Sequence, residues 1–379
     1  MIEMLHGLVG WLPLGLPAFL FVITVVVFFH ELGHFSVARA FNVTVETFSI
    51  GFGRSVAKWT DKKGTEWKIG WLPLGGYVKF LGDENAASVP DREITSRLTP
   101  EQLANAFQNK PLYQRALVVA AGPFANFILA IFIFAGVLML LGQATVLTTV
   151  GKVTPGAPAD AAGIRSGDVI TTVNGSNVET FDELVNAVHA HQNQAMTIGF
   201  TRKGKPLTAD IKPREIKVDN LYGDSVKLVG IGVQPAFTAS NARYVPVGPI
   251  TALRGAAEQT WFVADTSLTY LWRIVTGHSS SDQLTGPVGM AGVARQAASA
   301  GFMSLLQLAA LLSVSIGLIN LFPVPILDGG HLLYYACEAV LGRPLGEKAQ
   351  DVGFRLGLAA VLGLFVLATW NDLVRLDLF

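Results

Sequence analysis

The segment His30-Glu31-Leu32-Gly33-His34 combines two imidazoles and a carboxylate within little more than one helical turn. Side chains four positions apart lie on one face of a helix, so His30 and His34 can bind the same zinc ion. Glu31 lies beside them and can act as the base that takes a proton from water. In a purely structural alternative, these are hydrogen-bonded histidines with a glutamate at a helix end. We disfavour it because the groups follow a long apolar run, where ionisable side chains are costly unless they have a function.

A catalytic zinc site usually has three protein ligands and one open position, so a third ligand must come from elsewhere in the chain. The candidate is Asp328, which follows Pro323 and Pro325 at the end of another uncharged run. If both runs cross the membrane inward, Asp328 and the histidines reach a similar depth near the cytoplasmic face. The alternative for Asp328 is an ordinary turn residue before two glycines.

Uncharged runs dominate the composition. Of the 379 residues, 51% are apolar and only 15% are charged, which is typical of a membrane protein. Four runs are predicted to span the bilayer: residues 11–29, 116–151, 296–327 and 356–371. A cleaved signal peptide is disfavoured for the first run, since the opening residues MIEMLH contain no lysine or arginine. Basic and acidic residues number 28 each, so no net field attracts nucleic acid.

The segment between the first two runs is rich in lysine and arginine, which favours a cytoplasmic location. The amino terminus is then outside, and the long segment after the second run is also outside. Alternating apolar residues broken by glycine in the inner loop indicate β-hairpins, and their aromatic content favours contact with the membrane. We therefore predict a polytopic α-helical membrane protein with about four transmembrane helices, membrane-associated β-hairpins and an inserted α+β domain.

These features together resemble the site-2 protease family of intramembrane zinc metalloproteases, and in particular its bacterial regulator-of-sigma-E protease branch. The resemblance rests on four segments in the family's order: residues 30–34, 72–79, 121–126 and 320–330. It implies that His30, His34 and Asp328 bind Zn²⁺ and that Glu31 activates water. It further implies that Asn320 orients the substrate backbone. His331 is either a group supporting the zinc ligands or an ordinary residue at a helix start.

Residues 151–159 and 162–175 resemble part of a bacterial PDZ domain. A helix over 180–189 and strands over 196–201 and 206–211 are predicted to complete it. A single copy is visible, whereas well-known members of this branch carry two in tandem. Peptide binding and a purely steric gate both remain possible roles.

The predicted segments follow the chain in order. They are a first transmembrane helix with the HExxH motif (1–42), cytoplasmic-side hairpins and a short helix (43–111), a second transmembrane helix (112–143), the PDZ domain (144–215), a linker with an interfacial amphipathic helix (216–300), a third transmembrane helix with the aspartate motif (301–335), and a cytoplasmic loop with the fourth transmembrane helix (336–379). Residues 285–289 also match a family motif, for which the sequence suggests no chemistry.

The resemblance implies a protease of the bacterial inner membrane. Both termini and the PDZ domain would lie on the periplasmic side, and the active site near the cytoplasmic side. Its substrates would be single-span membrane proteins, such as anti-sigma factors or remnant signal peptides, already cut by a site-1 protease. The implied partners are these substrates, the upstream protease and the lipid bilayer, with no nucleic acid. One alternative is a metal-ion transporter, although the second and fourth spans offer no acidic or histidine ligands. Another is a non-catalytic PDZ scaffold, against which the intact Glu31 argues.

Overall fold

The computed structural model describes residues 2–83, 98–191, 194–219, 225–236, 241–280 and 284–375, so parts of the predicted segments 43–111 and 216–300 lie outside the described residues. The chain forms two compact units. One comprises Met1–Val137 with Ile250–Phe379, and the other comprises Leu138–Pro249. The first unit carries all the candidate site residues.

The first unit begins with a long helix followed by a β-hairpin. Its opening elements are helix α1 (Ile2–Ala40), strands β1 (Val45–Thr60) and β2 (Glu66–Phe80), helix α2 (Pro100–Asn105) and helix α3 (Leu112–Leu141). The strands β1 and β2 pair antiparallel in a two-stranded sheet, and the turn between them lies at residues 61–65. Helix α2 starts with a capping box, in which Thr99 and Gln102 each bond to the other's main chain.

The turn of this hairpin is tied to the end of α1. Arg39, in the last turn of the helix, forms an ion pair with Asp61 in the turn. Partial burial favours the neutral carboxyl, but hydrogen bonds outweigh it and lower the pKa of Asp61 to about 2. The donors are the main-chain amides of Lys63 and Thr65, the Trp67 indole and Arg39. The hairpin is therefore fixed to the helix that bears the two histidines.

The second unit is built mainly of short antiparallel strands. Its elements are β3 (Gln143–Val146), β4 (Val150–Val153), α4 (Pro158–Ala161), β5 (Val169–Val173), β6 (Ser176–Asn177), α5 (Phe181–Ala190), β7 (Met196–Arg202), β8 (Lys205–Ile211), β9 (Arg214–Asp219), β10 (Ser225–Gly230), β11 (Val233–Pro235) and β12 (Ala242–Val245). A four-stranded sheet has the order β6-β5-β7-β8. The helix predicted at 180–189 and the strands predicted at 196–201 and 206–211 are present within a residue or so.

The second unit extends beyond the predicted boundary at residue 215. Strands β11 and β12 return to pair with β4 and β3, so residues predicted as linker belong to this unit. Short strands that pair with the start of the same unit have little hydrophobic periodicity of their own, which explains why the pattern did not reveal them.

After the second unit, the described part of the first unit continues with the helices α6 (Pro249–Val275), α7 (Pro287–Ala300), α8 (Phe302–Asn320), α9 (Asp328–Leu341) and α10 (Glu347–Arg375). Helix α6 includes the predicted amphipathic segment, and its buried residues are small ones such as Ala252 and Ala256. The uncharged run 296–327 is not one helix. It is divided at Gly301, whose φ of 115° ends α7, and α8 stops at Asn320 before the two prolines.

Four helices of the described chain are long and apolar enough to cross a membrane: Leu14–Ala40, Leu112–Leu141, Phe302–Asn320 and Lys348–Arg375. This agrees with a membrane protein. The first helix continues past His34 to Ala40, so the two histidines lie within the helix and not at its end. Asp328 begins the next helix after the third of these and does not end that span.

The motif at residues 285–289 acquires a structural explanation. The buried carboxylate of Asp372, in α10, accepts hydrogen bonds from the amides of Gly286 (3.0 Å) and Gly289 (2.8 Å) at the start of α7. A Cβ atom at either glycine would come within 2.7 Å of this carboxylate. The motif thus provides two free amides at a helix N-terminus, where a negative charge is favourable, and it joins the last apolar helix to α7.

We expect Asp372→Ala to lower the free energy of unfolding by about 2 kcal/mol, because two buried amides lose a charged acceptor. Thermal unfolding in detergent micelles measures the effect. Thr369→Ala is the matched control, since its hydroxyl donates to the main-chain oxygen of Phe365 in the same helix. Equal stability of the Asp372→Ala and Thr369→Ala variants would contradict the capping role.

Candidate metal and active site

Two apolar cores hold the part of α1 that carries the candidate ligands. Towards the carboxyl end of the helix, Phe48 and Val78 of the hairpin and Val118 of α3 belong to one buried cluster with α1. Towards the amino end, Val22 and Val26 of α1 pack with buried residues of α7 and α8. The histidine segment of α1 lies between the two clusters. Packing on both sides therefore fixes its position relative to α3 and α8.

Two glycines allow α1 and α3 to approach closely at the histidines. A Cβ atom at Gly33 would lie 2.3 Å from the carbonyl oxygen of Ala121, and one at Gly122 would lie 2.2 Å from Nε2 of His34. The same atom at Gly122 would be 2.9 Å from Cε1 of His30. The helix α3 therefore passes directly against both imidazoles, and any larger residue at position 122 would displace them.

Two further glycines, Gly329 and Gly330, allow the chain to place Asp328 next to the two histidines. The chain turns sharply between α8 and α9, and Cβ atoms at Gly329 and Gly330 would lie 2.3 Å from main-chain oxygens of that turn. The turn contains Pro323 and Pro325, which cannot donate the amide hydrogen bonds of a continued helix. Asp328 becomes the first residue of α9 and faces the two histidines.

The three candidate ligand atoms form a nearly equilateral triangle. Nε2 of His30 lies 3.3 Å from Nε2 of His34. Oδ2 of Asp328 lies 3.2 Å from the first nitrogen and 3.5 Å from the second. Ligands 2.0–2.1 Å from a tetrahedral zinc ion are separated by about 3.3 Å. The triangle therefore has the size of one face of a zinc coordination tetrahedron.

The polar environment of these atoms fits a cation. Within the described part of the chain, Oδ2 of Asp328 is buried and has no hydrogen bond of ordinary geometry. Nδ1 of His34 lies 2.8 Å from the carbonyl oxygen of Val118, which can only accept, so this nitrogen carries the proton. Nε2 of His34 then presents a lone pair towards Asp328, as a metal ligand requires.

Glu31 lies beside the triangle and next to strand β2. Its carboxylate is close to the main chain of Val78, and a Cβ atom at Gly76 would lie 3.1 Å from its Cγ. The absence of a side chain at position 76 thus lets the strand pass directly beside Glu31. A proton acceptor and an extended backbone segment meet at the same place as the three candidate ligands.

All the site residues expected from the sequence line one cavity of about 1120 Å³. His30, Glu31, His34 and Asp328 are joined there by Asn320, at the end of α8, and by His331, in the first turn of α9. The cavity also contains Arg115 of α3, which donates to Glu338 of α9 over 2.5 Å. This ion pair connects the two helices that flank the histidines.

The sequence pattern did not identify the roles of three neighbouring residues. Gly122 and Asn126, on adjacent turns of α3, contact the two imidazoles. Arg115 pairs with a residue more than two hundred positions away. The segment 121–126 resembles a family motif, but nothing in its residue types indicates which histidine each side chain contacts.

Two imidazoles, one carboxylate and an adjacent glutamate define a centre of the zinc metalloprotease class. The chain belongs to peptidase family M50, the site-2 protease family, whose model matches residues 18–364. It is therefore a membrane-embedded zinc metalloendopeptidase.

Similar proteins agree with this assignment. A Rhizobium meliloti protein with zinc metalloprotease in its name is 42% identical, and the match covers 94% of this chain and 96% of that protein. Metalloprotease MmpA of Caulobacter vibrioides is 40% identical, with 98% of each chain covered. Among solved structures, the PDZ domain of an SdrC-like protein from Listeria monocytogenes is 25% identical and covers 24% of this chain and 86% of that one, with a TM-score of 0.19.

We expect Gly122→Ala to weaken zinc binding by roughly tenfold or more, because the added methyl group overlaps both imidazoles. Competition with a chromogenic chelator on the purified protein measures the affinity. Gly136→Ala, in the same helix, is the matched control, since a Cβ atom there meets nothing within 4 Å. Alanine favours a helix over glycine at both positions, so helix propensity predicts no loss. Wild-type zinc affinity in Gly122→Ala would contradict the close approach described above.

Proposed function

We propose that the protein cleaves single-span membrane proteins within the bilayer, with His30, His34 and Asp328 as its zinc ligands and Glu31 as its general base. The triangle of ligand atoms beside Glu31 carries this proposal. Its position supports intramembrane cleavage, because the histidines belong to an apolar helix of spanning length. The substrates are of the anti-sigma-factor or remnant-signal-peptide type, cut beforehand outside the membrane by a site-1 protease.

The chemistry divides between the metal and the chain. Zinc, when bound, polarises the scissile carbonyl and lowers the pKa of water towards neutrality. Glu31 takes a proton onto its carboxylate as the water oxygen attacks the carbonyl carbon, and it then gives that proton to the leaving amide nitrogen. The apolar clusters around α1 lower the local dielectric constant, which strengthens each electrostatic contact in the site.

Strand β2 is suited to hold the substrate. It pairs with β1 on one side in a two-stranded sheet, and its residues 76–78 line the cavity beside Glu31. A transmembrane helix must unwind before a peptide carbonyl can reach the base, and its freed amides then need partners inside the membrane. Addition of the unwound segment to an edge of this hairpin would supply them. Asn320, lining the same cavity, would orient the substrate backbone.

We further propose that the second unit is a PDZ domain on the periplasmic side of the bacterial inner membrane. Its four-stranded antiparallel sheet and capped helix α5 support that fold. The basic residues between the first two spans support a cytoplasmic hairpin and an active site near the cytoplasmic face. Helix α6 exposes Trp261, Phe262 and Trp272, which supports a position at the membrane interface.

We expect Glu31→Gln to keep one zinc ion per chain and to reduce cleavage at least about 100-fold, since the amide cannot accept the proton. His34→Ala should lose both zinc and cleavage. Elemental analysis and a labelled single-span substrate in proteoliposomes provide the two measurements. His189→Ala, an exposed histidine of the second unit, is the control for zinc content. Cleavage at the wild-type rate by Glu31→Gln would refute its role as the base.

The orientation is tested by cysteine labelling in a Cys337→Ala background, which removes the native thiol. We expect Lys62→Cys, in the hairpin turn, to react with an impermeant maleimide only from the cytoplasmic side. Ser176→Cys, on the exposed strand β6, should react only from the periplasmic side. Both positions must react after detergent solubilisation. The reverse pattern in sealed vesicles would overturn the proposed topology.

A further inference from the structure

Asn126 is a buried polar residue that faces one of the two histidines. It lies in α3, one turn beyond Gly122, and its side chain is fully buried. Its amide nitrogen Nδ2 is 3.3 Å from Nδ1 of His30. This nitrogen is the one on the far side of the ring from Asp328, so the contact does not compete with a metal ion.

Asn126 is packed between α1 and α8. The hydroxyl of Ser313 donates to the main-chain oxygen of Asn126 over 2.8 Å. A Cβ atom at Gly317 would lie 3.1 Å from Cβ of Asn126, so α8 packs tightly against this residue. The side chain therefore has little freedom to move away from His30.

The direction of the hydrogen bond decides what this contact does. If Asn126 donates through Nδ2, then Nδ1 of His30 accepts and the ring proton lies on Nε2, between the ring and the other two ligand atoms. That proton excludes a metal ion. Oδ1 and Nδ2 of an asparagine have the same shape, and which atom faces His30 is assigned from the hydrogen-bond network. A half-turn of the amide exchanges the two atoms and places Oδ1 against Nδ1 of His30, with Nδ2 in the buried position that Oδ1 otherwise occupies.

The second orientation gives His30 the tautomer that His34 already has. Nδ1 of His34 donates to the carbonyl oxygen of Val118, which leaves its Nε2 lone pair free. With Oδ1 of Asn126 as acceptor, Nδ1 of His30 donates in the same way. Both Nε2 lone pairs then point into the triangle, as zinc ligands do when an outer acceptor fixes the ring.

We propose that Asn126 is a positioning residue: its Oδ1 accepts a hydrogen bond from Nδ1–H of His30 and so fixes the metal-binding tautomer of that ring. Helix α3 then supplies one acceptor for each histidine: a main-chain oxygen for His34 and a side-chain oxygen for His30. This inference rests on the proposed ligand set. It adds the requirement that a hydrogen-bond acceptor at position 126 is needed for full zinc affinity.

The test measures the affinity for Zn²⁺ by chelator competition in three variants of the full chain. Asn126→Leu has a similar size but no acceptor, and we expect zinc to bind roughly 10–100-fold more weakly. Asn126→Asp keeps an acceptor of the same shape, so its affinity should stay within about threefold of the wild type or exceed it. Ser313→Ala, which affects only the main-chain contact of Asn126, is the matched control and should bind zinc as the wild type does.

Wild-type affinity in Asn126→Leu would overturn the proposal. A tenfold loss of zinc affinity in Asn126→Asp would also overturn it, because the wild-type amide would then act as a hydrogen-bond donor or only as packing. The Asn126→Asp result tests the proposal even if Asn126→Leu does not fold. A wild-type protein that holds no zinc would instead refute the ligand set on which the inference depends. The visible spectrum of the Co²⁺-substituted protein provides a second readout, in which Asn126→Asp should resemble the wild type and Asn126→Leu should not.

Discussion

Three atoms with lone pairs lie 3.2–3.5 Å apart in an apolar helical unit, and such atoms are held together only when a shared proton or a metal ion lies between them. Without either, neutral imidazole nitrogens and a carboxylate oxygen repel one another at that distance. The packed apolar clusters on both sides of α1 lower the local dielectric constant, so this repulsion is weakly screened. A divalent cation removes the conflict and uses each atom as a ligand. The surrounding structure is consistently arranged to maintain this one contact.

Glycines at five positions allow the close approaches that keep the three candidate ligand atoms and Glu31 together. Gly33 and Gly122 let α1 and α3 approach, and Gly329 and Gly330 allow the tight turn that delivers Asp328. Gly76 admits strand β2 to the side of Glu31. Close-packed helices transmit small displacements directly, so a methyl group at these positions moves a ligand and is not absorbed by the surroundings. The glycines are therefore part of the metal site although none of them can bind a metal.

The sequence predicted the chemistry better than the architecture around it. The spacing of His30 and His34 on one helical face follows from helix geometry, and a lone carboxylate after an apolar run is conspicuous, so the three candidate ligands could be selected from residue types, and the structure places them within reach of one another. The roles of Asn126 and Asp372 could not, because each depends on which helices become neighbours. The pairing of strands β11 and β12 with β4 and β3 could not be predicted for a similar reason: these strands are defined by distant partners, which local periodicity does not reveal.

The joint binding of one zinc ion by α1 and the start of α9 can be examined by zinc K-edge X-ray absorption on the purified protein. We expect two imidazole ligands and light oxygen ligands at 2.0–2.2 Å in the wild type, with one protein oxygen lost in Asp328→Ala. A spectrum that is the same in wild type and Asp328→Ala, or a zinc ion without two imidazoles, would contradict it.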